Sequence, residues 1–145
     1  MKILKTIMLG AAMMALFGTA NATKFTGNVV APLSSDYVLK TYIAATTQGD
    51  LKGFEKILSN NVVFTKTRND NVITLKTEDV LNSLKANAGV KQDCTTTTTL
   101  TAQTIENTVY EIDIKYADYV RVDMVTLAGN DDDGWKITNV NTTIK

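Results

Sequence analysis

The chain has 145 residues, 44% hydrophobic and 21% charged, with one Pro and eight Gly, which describes one ordinary domain and excludes disordered, fibrous and multi-domain chains. It contains no histidine, so imidazole general bases, Ser-His-Asp and Cys-His nucleophile systems and the commonest zinc ligand sets are excluded. Fifteen basic residues balance 15 acidic ones, and without a positive field to neutralise phosphates the chain is not expected to bind nucleic acid.

Residues 1–22 read as a secretory leader. Lys2 and Lys5 precede an apolar run over residues 7–17, and Ala20-Asn21-Ala22 supplies a small-x-small cleavage site. That run is well short of the roughly 20 apolar residues of a bilayer span, so no membrane span is expected. Cleavage near Ala22 makes the protein periplasmic or extracellular. It also removes two of the 15 basic residues, leaving the mature chain slightly acidic.

Residues 23–35, with Gly27-Asn28 and the only proline, Pro32, read as an irregular lead-in. Ser34 or Ser35 can cap a helix starting near Asp36, whose side chain favours the positive end of the helix dipole. Leu39, Tyr42, Ile43 and Thr46 recur at the helical period, and Gly49 offers a left-handed stop. Asp50 is expected to cap a second, shorter helix that places Leu51, Phe54, Ile57 and Leu58 on one stripe before Ser59-Asn60-Asn61. A hairpin follows, with strands over residues 62–68 and 72–75 around the turn Asn69-Asp70-Asn71. Thr77 is expected to cap a third helix with Val80, Leu81, Leu84 and Ala88 buried and Gly89 just past its end. Four extended segments complete the chain, over residues 94–103, 109–116, 119–127 and 134–144. Their short polar connections predict an antiparallel meander.

Four features of the extended half carry chemistry. The run Thr95 to Thr99 occurs once, which excludes a repeated Thr array and predicts a strand with one wet and one half-buried face. Asp131-Asp132-Asp133-Gly134 fails EF-hand spacing, because Gly129 and Val140 stand where the first and last ligands belong, so it predicts a hairpin turn and no metal site. Cys94 is the only cysteine, which rules out an intramolecular disulfide and favours a buried structural thiol over intermolecular pairing. Tyr110, Ile112, Ile114 and Tyr116 alternate with Glu111, Asp113 and Lys115. Arg121 and Asp123, by contrast, share a face with Tyr119, Val125 and Leu127. Charges among such neighbours need partners, either in a mutual or cross-strand ion pair or as the lining of a cavity or dimer contact.

The element order, with Tyr42-Ile43 and Gly49-Asp50-Leu51 in the helical half, resembles the nuclear transport factor 2-like superfamily. The resemblance implies an α+β fold for residues 36–145, in which a curved, mostly antiparallel sheet wraps around three N-terminal helices as a cone with a pocket. Within that superfamily, Tyr116-Ala117-Asp118-Tyr119, Val125-Thr126-Leu127 and Gly134-Trp135-Lys136-Ile137-Thr138-Asn139 are similar to the secreted bacterial lumazine-binding branch. Ketosteroid isomerase shares the fold, and Tyr42 stands at the position of its oxyanion-stabilising tyrosine. The position of its base falls near Lys66, between Thr65 and Thr67, and an ammonium is no base at neutral pH.

Three function classes stay open on the residues. The first is a noncatalytic binder of a small apolar or heterocyclic molecule, with Tyr42 and Trp135 as pocket walls and Arg121, beside Asp123, as an orienting charge. The second is an envelope interaction module that pairs with a second copy through the sheet. The third is an enzyme built on Tyr42 with Asp113 or Asp123. The residues themselves assign no catalytic group, metal or cofactor.

Overall fold

The computed structural model describes residues 32–130 and 132–145. The expected leader over residues 1–22, the lead-in up to residue 31 and Asp131 lie outside the described residues. The first helix, α1 (Ser35–Gln48), starts where Ser34 accepts a hydrogen bond from the Tyr37 N–H at 3.1 Å and ends at Gly49, whose φ of 67° is left-handed. It buries Val38, Leu39, Tyr42 and Ala45. The hydroxyls of Thr46 and Thr47, also buried, donate back to the carbonyls of Tyr42 and Ile43.

The expected second helix is a single 3₁₀ turn, Phe54–Ile57. Asp50 does organise the turn, accepting from the Lys52 N–H at 3.1 Å, but Phe54 and Ile57 are both buried and Leu58 already opens a strand. Strand β1 (Leu58–Arg68) and strand β2 (Asn71–Leu75) form the predicted hairpin through a turn of two residues, Asn69 and Asp70. Both have positive φ, as a type I′ turn demands.

The next helix, α2 (Thr77–Ala86), is not capped by Thr77, which is its first helical residue and donates its hydroxyl to the Val62 carbonyl of β1. None of its residues is fully buried; Val80, Leu81 and Leu84 are half-buried against the core.

Strands β3 (Thr95–Gln103), β4 (Asn107–Lys115), β5 (Val120–Asn130) and β6 (Gly134–Ile144) form the expected antiparallel meander. β6 then pairs in parallel with β1, giving a six-stranded mixed sheet of order β2-β1-β6-β5-β4-β3. The domain is therefore α+β with two described α-helices rather than three. As the outer edge strand, β3 is exposed on both faces, so no face of the threonine run is half-buried.

The inner face of the sheet buries Ile112, Ile114, Val125, Leu127, Ile137 and Val140 beneath α1 and the 3₁₀ turn. Asp123 lies on this face, directly between Ile112 of β4 and Thr142 of β6, and Thr142 is in turn opposite Lys66 of β1. Asp113 is opposite Val122 and Thr97 on the outer face. Asp131 apart, residues 130–134 make the hairpin turn expected of the acidic cluster, with Asn130 paired to Gly134. Among the described residues no helix is long and apolar enough to cross a membrane.

Candidate functional site

Tyr42 comes from the buried face of α1, Arg121 and Asp123 from alternate positions of β5, and Thr142 from β6. Their meeting point is the Asp123 carboxylate, which is fully buried. Its Oδ2 accepts from the Tyr42 hydroxyl at 2.8 Å and forms an ion pair with Arg121 Nη2 at 2.8 Å. Its Oδ1 accepts from Arg121 Nε at 2.9 Å and from the Thr142 hydroxyl at 2.7 Å. A carboxylate has about four lone-pair sites, so these donors occupy all of its capacity. Charge assistance explains the short distances and offsets the cost of burying the anion.

This arrangement fixes protonation states. Burial pushes the Tyr42 hydroxyl well above its ordinary pKa, and the adjacent Asp123 adds to the shift against a smaller opposing pull from Arg121. Burial alone would favour loss of the Arg121 proton, but Tyr42 and Asp123 together outweigh it and hold the guanidinium above its ordinary value. Tyr42 is thus a neutral donor committed to Asp123, and Asp123 has no lone pair left to accept a substrate proton. Asp113, the alternative partner of Tyr42, is on the other face of the sheet and does not meet it.

A cavity of about 650 Å³ opens between this cluster, the inner face of the sheet and α2, within the usual range for small-molecule sites. Phe54, Phe64 and Val140 form its apolar floor, with Tyr42 and Arg121 on one wall and Val80, Ser83 and Leu84 of α2 on another. Leu75, Tyr119 and Ile144 line it and are also exposed, which places them at the mouth. Tyr119 stacks on Tyr116, with ring centroids 4.6 Å apart and planes 21° apart. Tyr116 donates its hydroxyl to Gln92 Oε1, and its own pKa is raised by burial and, to a lesser degree, by the neighbouring Cys94. Cys94 is free and half-buried against the core.

The segment carrying Gln92 is tied to the end of α1. The Gln92 N–H donates to the Thr47 carbonyl at 2.8 Å and the Gly89 N–H to the Gly49 carbonyl at 2.9 Å. Gly49 permits this approach, since a Cβ there would sit 2.6 Å from the Asn87 carbonyl oxygen.

The structure therefore brings together Tyr42, Arg121 and Asp123, with Tyr42 and Arg121 on the cavity wall and Asp123 behind it. Trp135 does not line the cavity. It is on the inner face but at the other end of β6, opposite Gly129, seven residues and so about 20 Å along the strand from Thr142. Its ring closely covers Gly129, where a Cβ would meet it at 2.6 Å. Residues that sequence reasoning does not assign to the site are Thr142, Gln92, Tyr116, Tyr119 and Lys66. The Tyr116 to Tyr119 segment stands out in the sequence for its resemblance alone, and Lys66 only as a base position left without a base.

No family model matches the chain, and no curated protein matches it. Solved structures do. A nuclear transport factor 2-like protein of unknown function from Silicibacter pomeroyi superposes with a TM-score of 0.63 at 14% identity, covering 76% of this chain and 92% of that one. One from Methylobacillus flagellatus gives 0.57 at 15% identity, covering 76% and 88%. The chain has the nuclear transport factor 2-like fold. A third such protein, from Rhodospirillum rubrum and described as of unknown function in nutrient uptake, gives 0.56 at 17% identity and covers 76% and 97%. Identities this low establish the nuclear transport factor 2-like architecture of two helices against a mixed sheet, and the chemistry must be read from the cavity itself.

Proposed function

We propose that this domain is a noncatalytic small-molecule-binding module, with the cavity beneath α2 as its site. The observation that carries the reading is the saturation of Asp123. The one buried carboxylate next to the cavity is bound by four donors, so it orients Tyr42 and Arg121 and does not exchange protons with a ligand. Lys66, near the isomerase-type base position, lines the same cavity and brings no carboxylate to it. What remains is an apolar, aromatic container with a few fixed polar groups, which suits capture better than turnover.

The leader expected over residues 1–22 supports a place for this module outside the cytoplasm, and intact-mass analysis of the exported protein should find Thr23 as its first residue. The binding reading is tested by thermal denaturation against a panel of aromatic and heterocyclic metabolites. A ligand present at 100 times its Kd adds about 2.7 kcal/mol of stability, so a true ligand gives an upward shift of several degrees. A melting temperature unchanged across the panel contradicts the proposal.

A further inference from the structure

The polar groups facing the cavity differ in whether they are already partnered. Tyr42 and Thr142 spend their hydroxyls on Asp123, and Tyr116 spends its own on Gln92. Arg121 uses Nε and one face of Nη2 on Asp123, which leaves Nη1 without a hydrogen bond among the described residues; its side chain keeps 26% of its surface exposed. Lys66 is different again. It projects from the middle of β1 on the inner face, in the transverse row that continues through Thr142 to Asp123, and is half-buried. Ion pairs join Lys40 to Asp36, Lys85 to Glu55 and Arg121 to Asp123, and Lys66 takes part in none of these.

The stem of Lys66 covers part of the cavity wall, and its ammonium, with no hydrogen bond or carboxylate among the described residues, is left to meet an anion in the cavity. The one other charge on the lining is Asp79, in the first turn of α2 and exposed to solvent. There the helix dipole accounts for it without a ligand. Around these groups the container is aromatic and aliphatic: Phe54, Phe64, Val140 and the Tyr116–Tyr119 stack at the mouth.

We infer that the cavity takes an aromatic monoanion, its ring system against Phe54, Phe64 and Tyr119 and its carboxylate or equivalent anionic group held between Lys66 and the unused edge of Arg121. This inference rests on the binding reading above and narrows it to a ligand class. Asp123 contributes indirectly, as a positioning residue: by holding Nε and Nη2 it fixes the guanidinium plane and leaves Nη1 uncommitted on a side chain that lines the cavity.

The test uses three probes of one shape, 2-naphthoate, 2-naphthamide and 2-naphthylmethylammonium, titrated by calorimetry into the protein and into its Lys66→Met and Lys66→Arg variants. The anion should bind at least about tenfold more tightly than the neutral amide, the range of a hydrogen-bonded charge. That preference should weaken with added salt, vanish in Lys66→Met and persist in Lys66→Arg. Equal affinity for the naphthoate and the amide, or a preference unchanged in Lys66→Met with the variant melting as the parent does, overturns the anion assignment and leaves the binding reading intact. Tighter binding of the ammonium probe overturns it in favour of a cation site at Asp79. Failure of all three probes, together with an unresponsive metabolite panel, removes the binding reading and the inference with it.

Discussion

Replacing Asp123 by Asn preserves shape and removes one charge, which makes it the sharpest probe of the buried cluster. The carboxylate accepts three hydrogen bonds and is paired with Arg121 Nη2 at 2.8 Å as its fourth donor contact. An amide accepts two at its oxygen and turns an NH2 group toward the other two donors. Arg121, 26% exposed, and Thr142, half-buried, can each turn toward water, but Tyr42 is 2% exposed and cannot. The amide can therefore still meet the Tyr42 hydroxyl with its oxygen or its NH2 group, but an Arg121 N–H that faces the NH2 loses its acceptor, at about 1–3 kcal/mol, and the guanidinium loses its counter-charge. The total is about 3 kcal/mol, the lower end for breaking a buried ion pair because Arg121 retains a route to solvent.

Tyr42→Phe, which leaves the carboxylate with three donors, should cost about 1.5 kcal/mol. The double variant should cost about 3 kcal/mol rather than the sum, because the charge-assisted bond from Tyr42 to the carboxylate is lost in either single variant and is counted once in the double. Urea unfolding of the four proteins measures the cycle. An Asp123→Asn cost within about 0.5 kcal/mol, or strict additivity, would refute the claim that these groups form one saturated unit.

Above pH about 10, where an exposed tyrosine ionises, the wild type should lose stability more steeply than Tyr42→Phe, by up to about 1.4 kcal/mol per pH unit. The sign follows from the raised pKa: the contribution of Tyr42 is whole below the unfolded value and is lost as pH climbs through the folded one. Parallel alkaline limbs would contradict it. Gly129→Ala sets a Cβ 2.6 Å from the Trp135 ring and should destabilise by about 2 kcal/mol, relieved in a Trp135→Ala background. Trp135→Phe should alter the unfolding midpoint but leave naphthoate affinity within about twofold, since the ring is outside the cavity. Gly49→Ala, at a φ of 67° and 2.6 Å from the Asn87 carbonyl, should cost about 2 kcal/mol and perturb Tyr116, whose partner Gln92 hangs from the same segment.

What the sequence discloses follows from how local each signal is. α1, the hairpin turn and the meander are set by neighbours in the chain: a Ser34 cap, a Gly49 stop, two residues at Asn69-Asp70 and four strands with short connections. The 3₁₀ turn reads as a longer helix because Leu51, Phe54, Ile57 and Leu58 have a spacing that suits either, and four residues are too few to separate the two. The parallel pairing of β1 with β6 joins segments some 75 residues apart, as the hydrogen bond from Thr65 to the Val140 carbonyl does, and no local pattern encodes it.

At the site, alternation places Arg121 and Asp123 among apolar neighbours and demands a partner, and the structure shows them paired with each other. Tyr42 is marked in the sequence by a resemblance, and its bond to Asp123 spans 81 residues. Trp135 is marked by its chemistry. It reaches the inner face only because the register slips by one residue between Thr126 and Leu127, and that register also shows that it stands at the far end of its strand. Lys66 stands out in the sequence for the base it is not, and its lack of a carboxylate shows only once the strands on either side of it are in register.

A ligand in the cavity beneath α2 must perturb the residues that line it. Backbone amide chemical-shift mapping of the protein titrated with 2-naphthoate tests it most directly. Shifts should concentrate at Lys66, Ser83, Leu84, Tyr119 and Thr142, which line the cavity, with none at Thr97 or Glu111 on the outer face. Saturable shifts centred on that outer face, with Lys66 and Thr142 unmoved, would contradict it.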